Sequence, residues 1–167
     1  MIVVSDTSPI ANLVVVGYID LLPQLFSSVI IPEIVYQELL ANGTEHLVTR
    51  TVTAANWLEI RAANDRAQVT TLERDRHLDA GEANAIVLAL ELKATQLLID
   101  ERLGRSEAKR LGLRITGILG VLLAAKRQGL IENVRPILDR LIGEANFWMS
   151  NRLYDETLIL AGEETQP

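Results

Sequence analysis

Five short runs of strand length punctuate this chain: IVVS at 2–5, SVII at 28–31, WLEI at 57–60, QLLID at 96–100 and LRIT at 113–116. Segments of helical length separate them. Strands spaced in this way do not close as hairpins, and they build an α/β domain around a largely parallel sheet. WLEI reads as a minor strand. Ser8 and Pro9 supply an N-cap and a first-turn proline for a helix to about residue 16, and Pro32 starts a second helix to about residue 41. ANGTEH reads as a loop and the polar stretch 61–77 as a helix. From Asp79 the run AGEANAIVLALEL has high helix propensity throughout. SEAKRL ends at Gly112 and ILGVLLAAKRQGL at Gly129, both in the position of a C′ glycine. Helices over about 133–143 and 150–161 follow, with Phe147 and Trp148 between them expected as core anchors. No repeat or linker interrupts the 167 residues, so one domain is expected over 1–167, with the C-terminal helices packed on it.

Two strand runs end in an acid, the first at Asp6 and the fourth at Asp100. Parallel sheets place ligands at the carboxyl ends of their strands. Either acid alone could cap a turn or a following helix. On neighbouring strands, however, two carboxylates at one rim repel each other unless cations or protons lie between them. Oxygen ligands of this kind suit Mg²⁺ or Mn²⁺.

Two further acids occupy unusual places. Glu38 shares a helical face with Ile34 and Ala41, flanked by Val35 and Leu39, where an uncompensated buried charge is costly; a short helix would instead let it reach water at the edge. Glu82 has capping-box spacing from Asp79, yet it also heads the row Ile86, Ala89 and Leu90 that faces the sheet. Glu101 is expected on the opposite side of an extended backbone from Asp100 and is set aside. His46 and His77 lie in polar stretches and carry no assigned role.

The net charge of −6 argues against a protein that coats nucleic acid through its overall field. Residues 101–127 nevertheless carry seven basic against two acidic side chains, a net of +5 that leaves −11 for the remainder. Within that segment Arg102 and Arg105 follow Asp100 closely, and guanidinium groups match phosphate geometry. Cysteine is absent, which excludes a disulfide framework and a thiolate site. The first apolar stretch is too short for a membrane span and lacks a basic leader, so a cytoplasmic protein is expected, with no membrane partner.

SDTSPIANL, PEIVYQEL, GEANAIVLALEL, LLIDERLGR and GLRITGILGVLLAAKRQGLI, taken in that order down to RLYDETLILAGE, resemble a PIN domain of the VapC-like prokaryotic group. The resemblance implies a three-layer α/β/α fold and a metal-dependent endoribonuclease that uses Mg²⁺ or Mn²⁺. It assigns Asp6, Glu38, Glu82 and Asp100 as catalytic and metal-binding residues, with Thr7 assisting. It further implies an RNA substrate, a small antitoxin partner and a homodimer, which together describe the toxin of a toxin–antitoxin pair. Glu82 departs from the commonest pattern, which has Asp there. Because Mg²⁺ demands near-ideal octahedral geometry, the longer arm bears on metal preference or rate. The alternative is a catalytically weak or inactive PIN-fold protein acting as a regulatory or binding partner. A phosphatase of the haloacid dehalogenase type needs a second Asp two residues after the first, where this chain has Ser8, and no G-x-G-x-x-G follows the first strand for a dinucleotide.

Overall fold

The structure, a computed structural model, describes residues 1–163. In chain order its elements are β1 (Val3–Ser5), α1 (Thr7–Val15), α2 (Leu21–Phe26), β2 (Val29–Pro32), α3 (Glu33–Leu40), α4 (Leu47–Ala54), β3 (Leu58–Arg61), α5 (Arg66–Arg76), α6 (Ala80–Glu91), β4 (Gln96–Leu98), α7 (Arg102–Arg110), β5 (Ile115–Thr116), α8 (Ile118–Arg127), α9 (Arg135–Glu144) and α10 (Asn151–Leu160). All strand pairings among the described residues are parallel, in the order β3-β2-β1-β4-β5. This is the expected three-layer α/β/α architecture.

Alternation along the strands divides the core in two. Val3, Val29, Ile31 and Leu98 point to one face, where they pack with α1, α2, α3, α4, α8, α9 and α10. Val4, Ile30, Leu97 and Ile99 point to the other, against α5, α6 and α7. Each fully buried aliphatic side chain contributes about 1.5–3 kcal/mol relative to exposure, so both faces are needed to hold strands of two to four residues in register. Every residue from Gly81 to Ala89 of α6 is buried. A helix apolar on all sides belongs inside the fold, and α6 touches α3, α7, β1, β2 and β4. Among the described residues no helix is long and apolar enough to cross a membrane.

Several expectations from sequence are corrected. Helix α1 begins at Thr7, so Asp6 and not Ser8 occupies the cap position, and its side chain makes no capping hydrogen bond. The chain passes from strand to helix with no intervening turn, which leaves the Asp6 carboxylate available to the sheet rim. Helices α2 and α4 are additional to the expected elements: they span only six and eight residues, and neither Asp20 before α2 nor His46 before α4 is followed by a long apolar period. Phe147 does pack against the core, but Trp148 is 84% exposed and anchors nothing. Gly112 and Gly129 adopt the positive φ expected of helix-ending glycines.

One clasp fixes the C-terminal helices. Glu163 accepts hydrogen bonds from the backbone N–H groups of Val134 (2.7 Å) and Arg135 (3.1 Å) and from Lys126 Nζ (3.0 Å). These backbone donors lie at the start of α9, where N–H groups lack helical partners and the helix dipole favours an anion. Glu163→Ala is therefore expected to cost about 2 kcal/mol, a fall in melting temperature of roughly 4–8 °C by calorimetry. An unchanged melting temperature would show that water replaces the carboxylate without loss.

Candidate functional site

The sheet order reverses between β1 and β4: the chain builds outward from β1 through β2 to β3, then crosses to β4 and β5. Such a switch point opens a crevice at the carboxyl ends of the two strands. Asp6 follows β1 and Asp100 lies two residues past β4. Ser5 pairs with Leu98, and the Asp6 N–H donates to the Leu98 carbonyl at 2.9 Å. Topology thus delivers both strand-end acids to one rim.

Asp6 is only 3% exposed and its Oδ1 has no hydrogen-bond partner. Burial raises its pKa from an ordinary 3.8 to about 7; the Thr7 backbone N–H opposes this, and the charges of Asp79, Glu82 and Glu38 add to it. Glu38 comes from α3, and the Thr7 hydroxyl donates to its Oε2. The backbone of Gly81 in α6 lies against both acids. A Cβ there would stand 2.9 and 3.1 Å from the two Glu38 oxygens and 3.1 Å from Asp6 Oδ1. Three carboxylate oxygens therefore converge on a space that only glycine leaves open.

Glu82, 5% exposed, sits in the first turn of α6. Its backbone N–H donates to Asp79 Oδ1 at 2.8 Å, and its Oε2 accepts from the Asp79 N–H at 3.0 Å, completing the capping box. Burial raises its pKa, the Asp79 N–H opposes the shift, and Asp79, Glu101 and Glu38 push it further up. The capping and acidic roles of Glu82 thus coexist in one side chain.

Asp100 occupies the far side of the rim. Its Oδ1 accepts from the Ile118 N–H at 2.9 Å, while Oδ2 is buried without a partner. Burial raises its pKa to about 6, the Ile118 N–H and Arg105 hold it down, and Glu101 raises it. Its field comes from Arg105 and Glu101, whereas that of Asp6 comes from Asp79, Glu82 and Glu38. Arg105 is fixed by donation from Nη1 to the Ile99 carbonyl at 2.8 Å. With exposed Arg102 it lines a cleft of about 840 Å³ that opens beside Asp100.

The structure thus groups Asp6, Glu38 and Glu82, and sets Asp100 beside Arg105 at the neighbouring strand end. Among the described residues no three such groups already stand together as a metal site. Two acids not assigned from sequence belong to the same field, Asp79 and Glu101. Asp79 was legible only as a cap. Glu101 was set aside on strand alternation, but β4 ends at Leu98 and the chain turns into α7, so alternation does not govern residues 100 and 101. The basic segment is narrower than its count, since Arg110 pairs with Glu107 and Lys126 with Glu163. His46 caps α4 through Nδ1, and His77 ends α5 in a left-handed conformation.

The donor set fits a hard divalent cation: every candidate ligand is a carboxylate oxygen, and two of these oxygens are buried without partners. A three-layer α/β/α domain with acids at its switch point places a ligand site at that rim. Residues 2–163 match the family model described as DUF3368, PIN domain, and the chain belongs to this PIN-domain family. No curated protein matches it.

Proposed function

We propose that this protein is a Mg²⁺- or Mn²⁺-dependent endoribonuclease, a single VapC-like PIN domain whose site comprises Asp6, Glu38, Glu82 and Asp100. The observation that carries this reading is the pair of partnerless buried oxygens, Asp6 Oδ1 and Asp100 Oδ2, at adjacent strand ends. Burying carboxylates this way is unfavourable unless a cation or a proton compensates them. When bound, the metal supplies neutralisation of phosphate charge and acidification of a water ligand.

The protein's own groups do the rest. Thr7 holds the Glu38 carboxylate toward Asp6 through its hydroxyl. Asp79 fixes the rotamer of Glu82 through the capping box. Arg105, steadied by the Ile99 carbonyl, has further guanidinium donors for a phosphate, and Arg102 adds a second cationic group at the cleft. Without compensation Asp6, Glu38, Glu82 and Asp100 would repel an RNA backbone, and a divalent cation held by them would offset that charge. A toxin held by a small antitoxin, acting in the cytoplasm, is consistent with this chemistry. Exposed Ile159 and Leu160 on α10 offer an apolar surface for a homodimer.

A second reading, a PIN-fold binding partner without turnover, is favoured by one observation: the Glu82 carboxylate is engaged by the Asp79 N–H. An assay of the purified protein on structured RNA with Mn²⁺ separates the two, using Gly81→Ala as the probe. The variant's methyl group fills the space between Glu38 and Asp6, while alanine in a helix is intrinsically favoured over glycine by about 1 kcal/mol. The expected result is cleavage by the wild type, at least about tenfold slower cleavage by the variant, and a melting temperature little changed. No cleavage by the wild type would favour the binding partner, and equal cleavage by both would remove this space from the mechanism.

A further inference from the structure

Trp148 is the most exposed large apolar side chain described, and its exposure is built rather than incidental. Asn146, with φ of 53°, turns the chain out of α9, and the Phe147 N–H is held by the Leu141 carbonyl at 3.0 Å. Phe147 and Met149 both pack against the core. With its two neighbours turned into the core, Trp148 between them is left facing solvent. Ser150 then caps α10, accepting from the Leu153 N–H at 3.1 Å. The indole is thus displayed on a segment pinned at both ends.

It is displayed over the cleft that holds Asp100, Arg102 and Arg105. We infer that Trp148 is a stacking platform for an unpaired nucleobase of single-stranded RNA, next to the phosphate held by Arg102 and Arg105. The inference rests on the RNA reading above and extends it to the form of the substrate. Aromatic faces take any base by stacking, while arginines track the backbone, and this combination is how single strands are bound without a groove to read. Arg102 and Arg105 offset Asp100 and Glu101 on the same wall, and the exposed indole adds an aromatic face beside them, a pairing of guanidinium and ring that suits a phosphate and a base together. A duplex keeps its bases stacked internally and cannot use the indole.

The chain has two tryptophans, so Trp57→Phe leaves Trp148 as the only source of tryptophan emission. In that background, with Mn²⁺ present, oligouridylate is expected to quench the emission, and the same strand annealed to oligoadenylate to leave it unchanged. By anisotropy of labelled oligouridylate, Trp148→Ala is expected to bind about tenfold more weakly, and Trp148→Phe to keep most of the affinity. Cleavage is not the readout. Binding and quenching without cleavage would overturn the nuclease reading and leave this one standing. Cleavage by a Trp148→Ala variant that binds oligouridylate as tightly as wild type would overturn this inference alone. A Trp148→Ala variant that loses only self-association, with RNA affinity unchanged, would also overturn it and assign the indole to a second copy of the chain.

Discussion

Asp6→Asn is expected to abolish RNA cleavage, by about 10²- to 10³-fold, and at the same time to make the metal-free protein more stable above neutral pH. Both results follow from one carboxylate. Asp6 is buried at the switch point, its Oδ1 lacks a partner, and Asp79, Glu82 and Glu38 press negative charge upon it. Asparagine keeps the shape and removes the charge, so the cation loses a ligand and the empty site loses its repulsion. Sites shaped for function commonly sacrifice stability in this way. The check is a paired measurement of Mn²⁺-dependent cleavage and of melting temperature in chelator. Cleavage at the wild-type rate would remove Asp6 from the reaction. A variant less stable than wild type at high pH would mean that a compensating group already neutralises the buried charge.

The second expected result is a reversed pH profile for the metal-free protein. Acid-rich domains usually gain stability as carboxylates ionise and pair; here Asp6 and Asp100 do the opposite. Their folded-state pKa values stand near 7 and 6 against an ordinary 3.8. Between these values the folded protein retains protons that the unfolded chain has released, so stability falls as pH rises through this window, and the loss is complete above about 7. At about 1.4 kcal/mol per unit, the two groups together cost on the order of 7 kcal/mol, roughly 15–30 °C in melting temperature. A cation that binds only the folded state reverses this, adding about 2.7 kcal/mol at a hundredfold excess over its dissociation constant. Thermal unfolding in chelator and in Mn²⁺, at about pH 5 and about pH 8, tests the argument, with the metal-induced rise expected to be much larger at the higher pH. A rise equal at both values would show that cation binding is not linked to these two acids.

The sequence by itself determined the class of fold, because it depends on local periodicity: a strand-length apolar run followed by a helical segment admits few arrangements, and all are α/β. It also determined that Asp6 directly follows a strand and that Asp100 lies just beyond one, although β4 stops at Leu98, and that Glu82 begins a helix with Asp79 as its cap, since capping chemistry is local. Short helices such as α2 and α4 escaped because tertiary packing, rather than propensity, holds them.

Only the tertiary structure decided which acids meet. Residues 6, 38 and 82 lie in three elements that converge because β1 is central and α6 is buried against both β1 and α3, facts of topology that no local window contains. The same holds for Glu101, brought into the site by a turn that ends β4 early, and for Trp148, whose apolar character reads as core until Phe147 and Met149 take the inward places. Local chemistry sets what each residue prefers; the long-range fields and contacts that give an acid its proton affinity, or an indole its exposure, exist only once distant segments have packed.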